Sequence, residues 1–166
     1  MKKVMNLKSL LFCAMLVLTM SLNTVNAQAG ALDYLGHTID GSELTNEMES
    51  IGNYQSVARS TYLHQGFVRI TNNGGGYVGI GAGTECNVTM WNCEVKCLFG
   101  TFLAAQKTFT VTKKWENVDY NTSSLYLNQQ VKVEKGYYYR LRGYHSCTKN
   151  GVLENGASRT DGIYIG

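Results

Sequence analysis

The sequence predicts an all-β fold, and three observations carry the prediction. From Ser56 onward, apolar and polar residues alternate with a period of two in short runs, the spacing of a strand with one face in a core. The runs are separated by glycine and asparagine, and the chain has no proline at all, so those residues supply the turns. The runs number about seven and carry few helix signals between them. Together these features read as an antiparallel β-sandwich of about seven strands.

The chain begins with a targeting segment. Lys2, Lys3 and Lys8 make a basic start, and Leu10 to Met20 follow as an apolar run of eleven residues. Val25-Asn26-Ala27 then has the small-residue spacing of a cleavage site, with Ala27-Gln28-Ala29 as the other choice. This is the pattern of a secretory signal peptide over residues 1–27. The apolar run is shorter than the roughly 20 residues a membrane helix needs. The most apolar later stretch, CLFGTFLAA, is also too short to span. The expectation is a secreted, extracellular protein of one domain, with no membrane association after cleavage.

Residues 28–55 read as an acidic leader or linker. They carry Asp33, Asp40, Glu43, Glu47 and Glu49 and neither lysine nor arginine. Ser42 as an N-cap, acids in the first turn and Gly52 beyond the end predict one short helix over 42–51. Leu44, Met48 and Ile51 would share its face, and so short a helix forms only if it docks.

The sandwich domain is assigned to residues 56–166. "GFVRITN" alternates Phe67 and Arg69 against Val68 and Ile70. Gly74-Gly75-Gly76 turns the chain into "YVGIGAGTEC". "NVTMWNCEVKCLFGTFL" is β-branched and apolar with a break near Gly100. "KTFTVTKKW", "SSLYLNQQVKVEKG", "GYYYRLRGYHSC" and "DGIYIG" complete the set. In "GYYYRLRGYHSC" the odd positions Tyr137, Tyr139, Leu141, Gly143, His145 and Cys147 suit a core. The even positions Tyr138, Arg140, Arg142 and Tyr144 suit water and would stand in one outward row. Gly143 leaves room for a bulky residue on a facing layer.

Charge narrows the partners. Three of the 15 Lys and Arg lie in the signal and none of the 12 Asp and Glu do, so the remainder is balanced. That excludes the strongly basic, clustered surface of a nucleic-acid binder. The positive excess of residues 56–166 suits an anionic cell-wall polymer or a glycan.

Four cysteines follow the signal: Cys86, Cys93, Cys97 and Cys147. An even number in an exported chain reads as disulfide candidates, with three possible connectivities. Their spacing lacks the short pairs of a structural zinc site, so no metal is expected. His145 and Cys147 share a strand face, but no nucleophile motif surrounds them. Paired catalytic carboxylates, HExxH and a phosphate loop are also missing. No catalytic residue, enzyme activity or cofactor is expected.

Several segments resemble a family of small exported proteins of Gram-positive bacteria, a domain of unknown function. They are Asp40 to Thr45, Ala58 to Leu63, Tyr77 to Thr84, Val131 to His145 and Thr160 to Ile163, and "GYYYRLRGYH" is the most specific. Residues 90–124 depart most from the family pattern. The resemblance implies secretion and a compact β-rich domain, and it brings no activity, ligand or site residues.

The strand pattern also invites an analogy with immunoglobulin-like and fibronectin-type sandwiches. By that analogy Cys86, Cys93 and Cys147 gather at one pole, and Cys147 pairs with Cys93 or Cys86. The functional expectation is a non-catalytic binding module for a glycan, cell-wall polymer or protein. Its binding face would be Tyr138, Arg140, Arg142 and Tyr144, because tyrosine and arginine stack and hydrogen-bond together. The alternative is a toxin-like or interaction factor acting on another cell.

Overall fold

The computed structural model describes residues 30–55 and 60–166. The signal-peptide reading of residues 1–27 lies outside them. The chain is all-β. The strands are β1 (Thr38–Ile39), β2 (Ser42–Thr45), β3 (Glu49–Gln55), β4 (Leu63–Asn72), β5 (Tyr77–Leu103), β6 (Thr108–Lys132), β7 (Tyr137–Lys149), β8 (Val152–Arg159) and β9 (Gly162–Ile165). A single 3-10 turn at Ala31–Tyr34 is the one helical element among the described residues. No helix among them is long and apolar enough to cross a membrane. Residues Tyr34–Gly166 form one compact unit, so most of the expected leader belongs to the folded body.

The nine strands make one curled, mixed sheet in the order β1-β2-β9-β7-β5-β4-β3, with β6 on β5 and β8 on β7. Two strands expected separately on either side of Cys86 are one 27-residue strand, β5. Two more merge into the 25-residue β6. The leader supplies β1, β2 and β3, which the sequence reading did not contain. One pairing, β2 with β9, is parallel, where a wholly antiparallel sheet was expected.

The curl follows from β5. Its first part pairs with β4, as in Ile80 opposite Ile70. Its last part pairs with β7, as in Phe99 opposite Leu141. The ladder to β6 shifts register between Glu85 and Met90, and β6 answers with Asn121 at φ 55°. Such irregularities bend a sheet. Here the bend turns β4 to face β7. Val68, Ile70, Val78 and Ile80 then meet Val95, Phe99, Leu141 and Ile163 in one buried core. The facing half comes close at Gly143: a Cβ there would lie 2.6 Å from Val68 Cγ1.

Two tight hairpins fix the ends of the sheet. Asp40 and Gly41 join β1 to β2 at φ 48° and 72°, and Asn150 and Gly151 join β7 to β8 at φ 53° and 77°. Positive φ at both central residues is the type I′ turn that suits a twisted hairpin, and Asp-Gly and Asn-Gly are its favoured pairs. The helix expected over 42–51 is therefore a strand, a break and a second strand. Leu44 is buried, whereas Met48 and Ile51 are exposed. Ser42 does not cap a helix; its buried hydroxyl donates to the Thr160 carbonyl at 2.7 Å.

Candidate functional site

The four residues of the expected outward row lie on the side of β7 opposite the core, but only half of that row meets water. Tyr138 is fully buried and Arg140 is 4% exposed. The β1–β2 hairpin and the end of the β5–β6 hairpin cover them. Tyr138 packs against Phe102 and Tyr164, and its hydroxyl has no hydrogen-bond partner among the described residues. Arg140 lies with its guanidinium 4.1 Å from the centre of the Phe109 ring. It donates to the carbonyls of Ile39 and Asp40 at 3.3 and 3.2 Å, and to Ser42 Oγ at 3.1 Å. Its other nitrogen bonds the Asp40 carboxylate at 2.5 Å. The expectation that Tyr138 and Arg140 face water is corrected. Alternation along β7 sets the side, and segments far away in sequence decide whether that side is solvated.

The electrostatics of this contact are local. The Arg140 hydrogen bond, then its charge, holds the Asp40 carboxyl below its usual value. Burial lowers the Arg140 value while Asp40 opposes it, and a guanidinium stays charged through such a shift. Arg142 reaches Asp40 at 3.8 Å with its side chain 42% exposed. This cluster clamps the β1–β2 hairpin to the sheet.

The solvated half of the row opens onto a shallow cavity of about 530 Å³ between β5, β7 and β8. Tyr144, 42% exposed, stands on its wall. The register places Lys96 of β5 on one side of Tyr144 and Ala157 of β8 on the other. One step along, Ser146 lies between Glu94 and Asn155. Lys96 Nζ bridges Glu94 at 3.3 Å and Glu116 of β6 at 3.6 Å, and Lys114 reaches Glu116 at 2.9 Å. The two cations and two carboxylates cancel. What remains is an aromatic ring amid hydrogen-bonding groups of no net charge, a surface that can stack on a ring and bond hydroxyls. Of the expected binding residues the cavity uses Tyr144. Glu94, Lys96 and Asn155 were not singled out from the sequence, because only the register of three strands brings them together.

His145 points the other way, into the core. It is 1% exposed, with Nδ1 3.1 Å from Thr84 Oγ1 and Nε2 2.7 Å from Ser158 Oγ. Burial pushes its value down to about 4. Both nitrogens serve this internal network, so His145 has no free nitrogen for Cys147. No disulfide joins the four described cysteines. Among the described residues no group of three or more His, Cys, Asp or Glu is arranged to hold a metal ion.

A second cluster gave no sequence signal. The Glu154 carboxylate of β8 accepts four hydrogen bonds from the segment entering β4: from Ser60 Oγ at 2.6 Å and from the amides of Thr61, Tyr62 and Leu63 at 2.9, 2.9 and 2.7 Å. Burial alone would raise this carboxyl; the hydrogen bonds outweigh it and hold it at about 2. Three successive amides converging on one carboxylate depend on backbone shape, which no residue pattern displays.

Comparison with protein-family models, with curated proteins and with solved structures finds no match for the chain.

Proposed function

We propose that the chain is an exported, non-catalytic binding module that takes an uncharged glycan on the face around Tyr144. The observation that carries this reading is the exposed Tyr144 ring on the wall of the cavity that Glu94, Lys96, Ser146 and Asn155 also line. An aromatic ring covers the apolar face of a sugar, and flanking polar groups take up its hydroxyls. The earlier case for an anionic wall polymer weakens, because Arg140 is buried against Asp40 and Lys96 lies between two carboxylates. Export rests on the signal pattern of residues 1–27. The kinship with sandwich scaffolds rests on the two halves of the curled sheet facing each other across one core. The non-catalytic reading is supported by His145, whose ring is buried and engaged on both sides.

The test is binding of the purified chain to a glycan panel and to isolated cell walls, alongside Tyr144→Ala and Asn155→Ala. We expect both variants to lose binding at least tenfold with melting temperatures within a few degrees of the parent. Equal binding by parent and variants would place recognition elsewhere.

One observation favours a second reading, a factor that engages a protein of another cell. Among the described residues strand β6 pairs on one side only, with β5. Tyr120 of β6 and Trp91 of β5 stand exposed with ring centres 6.3 Å apart. A free edge with exposed aromatics suits strand addition by a protein partner. Charge reversal at Lys113 and Lys114 that abolished a captured partner while sparing glycan binding would favour this reading.

A further inference from the structure

The cysteines are not distributed evenly over the fold. Cys93 and Cys147 are direct partners across β5 and β7, both fully buried. Cys86 sits at the break where the β5 ladder shifts register, opposite Leu63 of β4. It packs against two apolar clusters at once: the main core that contains Cys93, and a smaller one formed by Leu63, Met90 and Cys147. Cys86 is also the one described cysteine that is partly exposed. Cys97 lies further along β5, buried opposite Gly143. Three thiols therefore share one site, and Cys86 is the one that touches both others and solvent.

We propose that this site is a cross-link site in which Cys86 forms a disulfide with Cys147, leaving Cys93 as a trapped thiol beside it. Geometry separates the three pairings. Direct cross-strand neighbours hold their Cβ atoms about 4.5–5.5 Å apart, whereas a disulfide draws them to about 3.8 Å. Cys93 and Cys147 sit within an unbroken ladder, so bridging them would distort it. Cys86 and Cys93 lie on the same strand and would close only a short loop, which constrains the unfolded chain little. Cys86 to Cys147 joins the two halves of the curled sheet across a long loop. It does so from a position where the register already shifts, so the backbone there can adjust.

The chemistry needs an oxidant of the disulfide class: oxidised glutathione in a test, or a dithiol–disulfide oxidase in an exporting cell. The Cys86 thiolate attacks the external disulfide, forms a mixed disulfide and releases one thiol. The Cys147 thiolate then attacks the Cys86 sulfur and releases the second. The two cysteines lose two electrons and two protons, and the external disulfide takes them up. The Cys147 thiol pushes Cys86 up to about 12, against a smaller opposite pull from Cys93. The attacking thiolate is therefore scarce at neutral pH and the uncatalysed reaction is slow.

The test is disulfide mapping of the full chain. It is equilibrated with excess oxidised glutathione, alkylated in denaturant, digested without reduction and sequenced by mass spectrometry. We expect one bridge per chain, Cys86–Cys147, with Cys93 and Cys97 recovered alkylated, and a melting temperature raised by roughly 10 °C that falls back on reduction. Recovery of Cys86 and Cys147 both alkylated, or a bridge of Cys93 to either neighbour, overturns the proposal. Cys86→Ser treated in the same way should form no bridge between Cys93 and Cys147; finding one would overturn the argument that their unbroken ladder disfavours that pair.

Discussion

Gly66 of β4 lies directly over the imidazole of His145 on β7: a Cβ built at position 66 would stand 2.2 Å from the ring Cγ. The ring cannot swing aside without giving up both of its hydrogen bonds, to Thr84 and Ser158. Gly66→Ala is expected to destabilise the fold by about 3 kcal/mol, measured as a shift of the urea midpoint. Shortening the ring in a Gly66→Ala/His145→Ala double variant should recover part of the steric loss. Additive losses would show that the two residues do not compete for the same space.

Arg140 and Arg142 are two positions apart and should behave differently. Arg140→Ala leaves the Asp40 carboxylate and two backbone carbonyls without their donor and opens a gap over Phe109. A loss of about 2–4 kcal/mol is expected, together with faster amide exchange in the β1–β2 hairpin. Arg142→Ala, at a partly solvated site, should cost under about 1 kcal/mol. Equal effects in thermal melts would contradict the burial difference between them.

Tyr138 carries a buried hydroxyl with no partner among the described residues. Tyr138→Phe removes that unpaired group and keeps the ring between Phe102 and Tyr164. The variant is expected to be more stable than the parent by about 1 kcal/mol. A drop in melting temperature would reveal a partner for the hydroxyl.

Acid should weaken the fold in two successive windows. His145 protonates near 6.5 when unfolded but only near 4 when folded. As pH falls between those values the unfolded chain takes up the proton first, and stability declines by on the order of 3 kcal/mol. Glu154 follows: its carboxylate stabilises fully above about 4.5, and that contribution is lost as pH falls toward about 2. Denaturant titrations from pH 8 to pH 2 should show both slopes. Glu154→Gln should flatten only the lower one, and a parent curve flat from pH 7 to pH 4 would argue against a buried neutral His145.

Local features were legible and long-range ones were not. The alternation of residues 136–147, the turn at Gly74–Gly76 and the small residue needed at Gly143 were read from local signals, whereas the break expected near Gly100 is an irregularity inside the continuous strand β5. The ladder does shift register between Phe99 and Gly100. Asp40-Gly41 and Asn150-Gly151 were equally local, yet the first was absorbed into a helix start because Ser42 and the acids behind it imitate a cap. The burial of Tyr138 and Arg140 had no local trace. Their cover comes from Ile39, Asp40, Phe102 and Phe109, and a period of two reports which side a residue takes without reporting what lies over that side. The cavity at Tyr144 was hidden for the same reason, since it exists only once Lys96 and Ala157 fall into register beside it.

The length of β5 sets how the molecule comes apart. One strand supplies partners to β4, β6 and β7, so neither half of the sheet keeps a complete set of neighbours if the other detaches. Melting should be all-or-none, with exchange-resistant amides in β4, β5 and β7 opening together at a single free energy. Assembly carries the reverse demand. Many pairings join segments distant in sequence, such as β2 with β9 and β5 with β7, which places this chain among the slow folders.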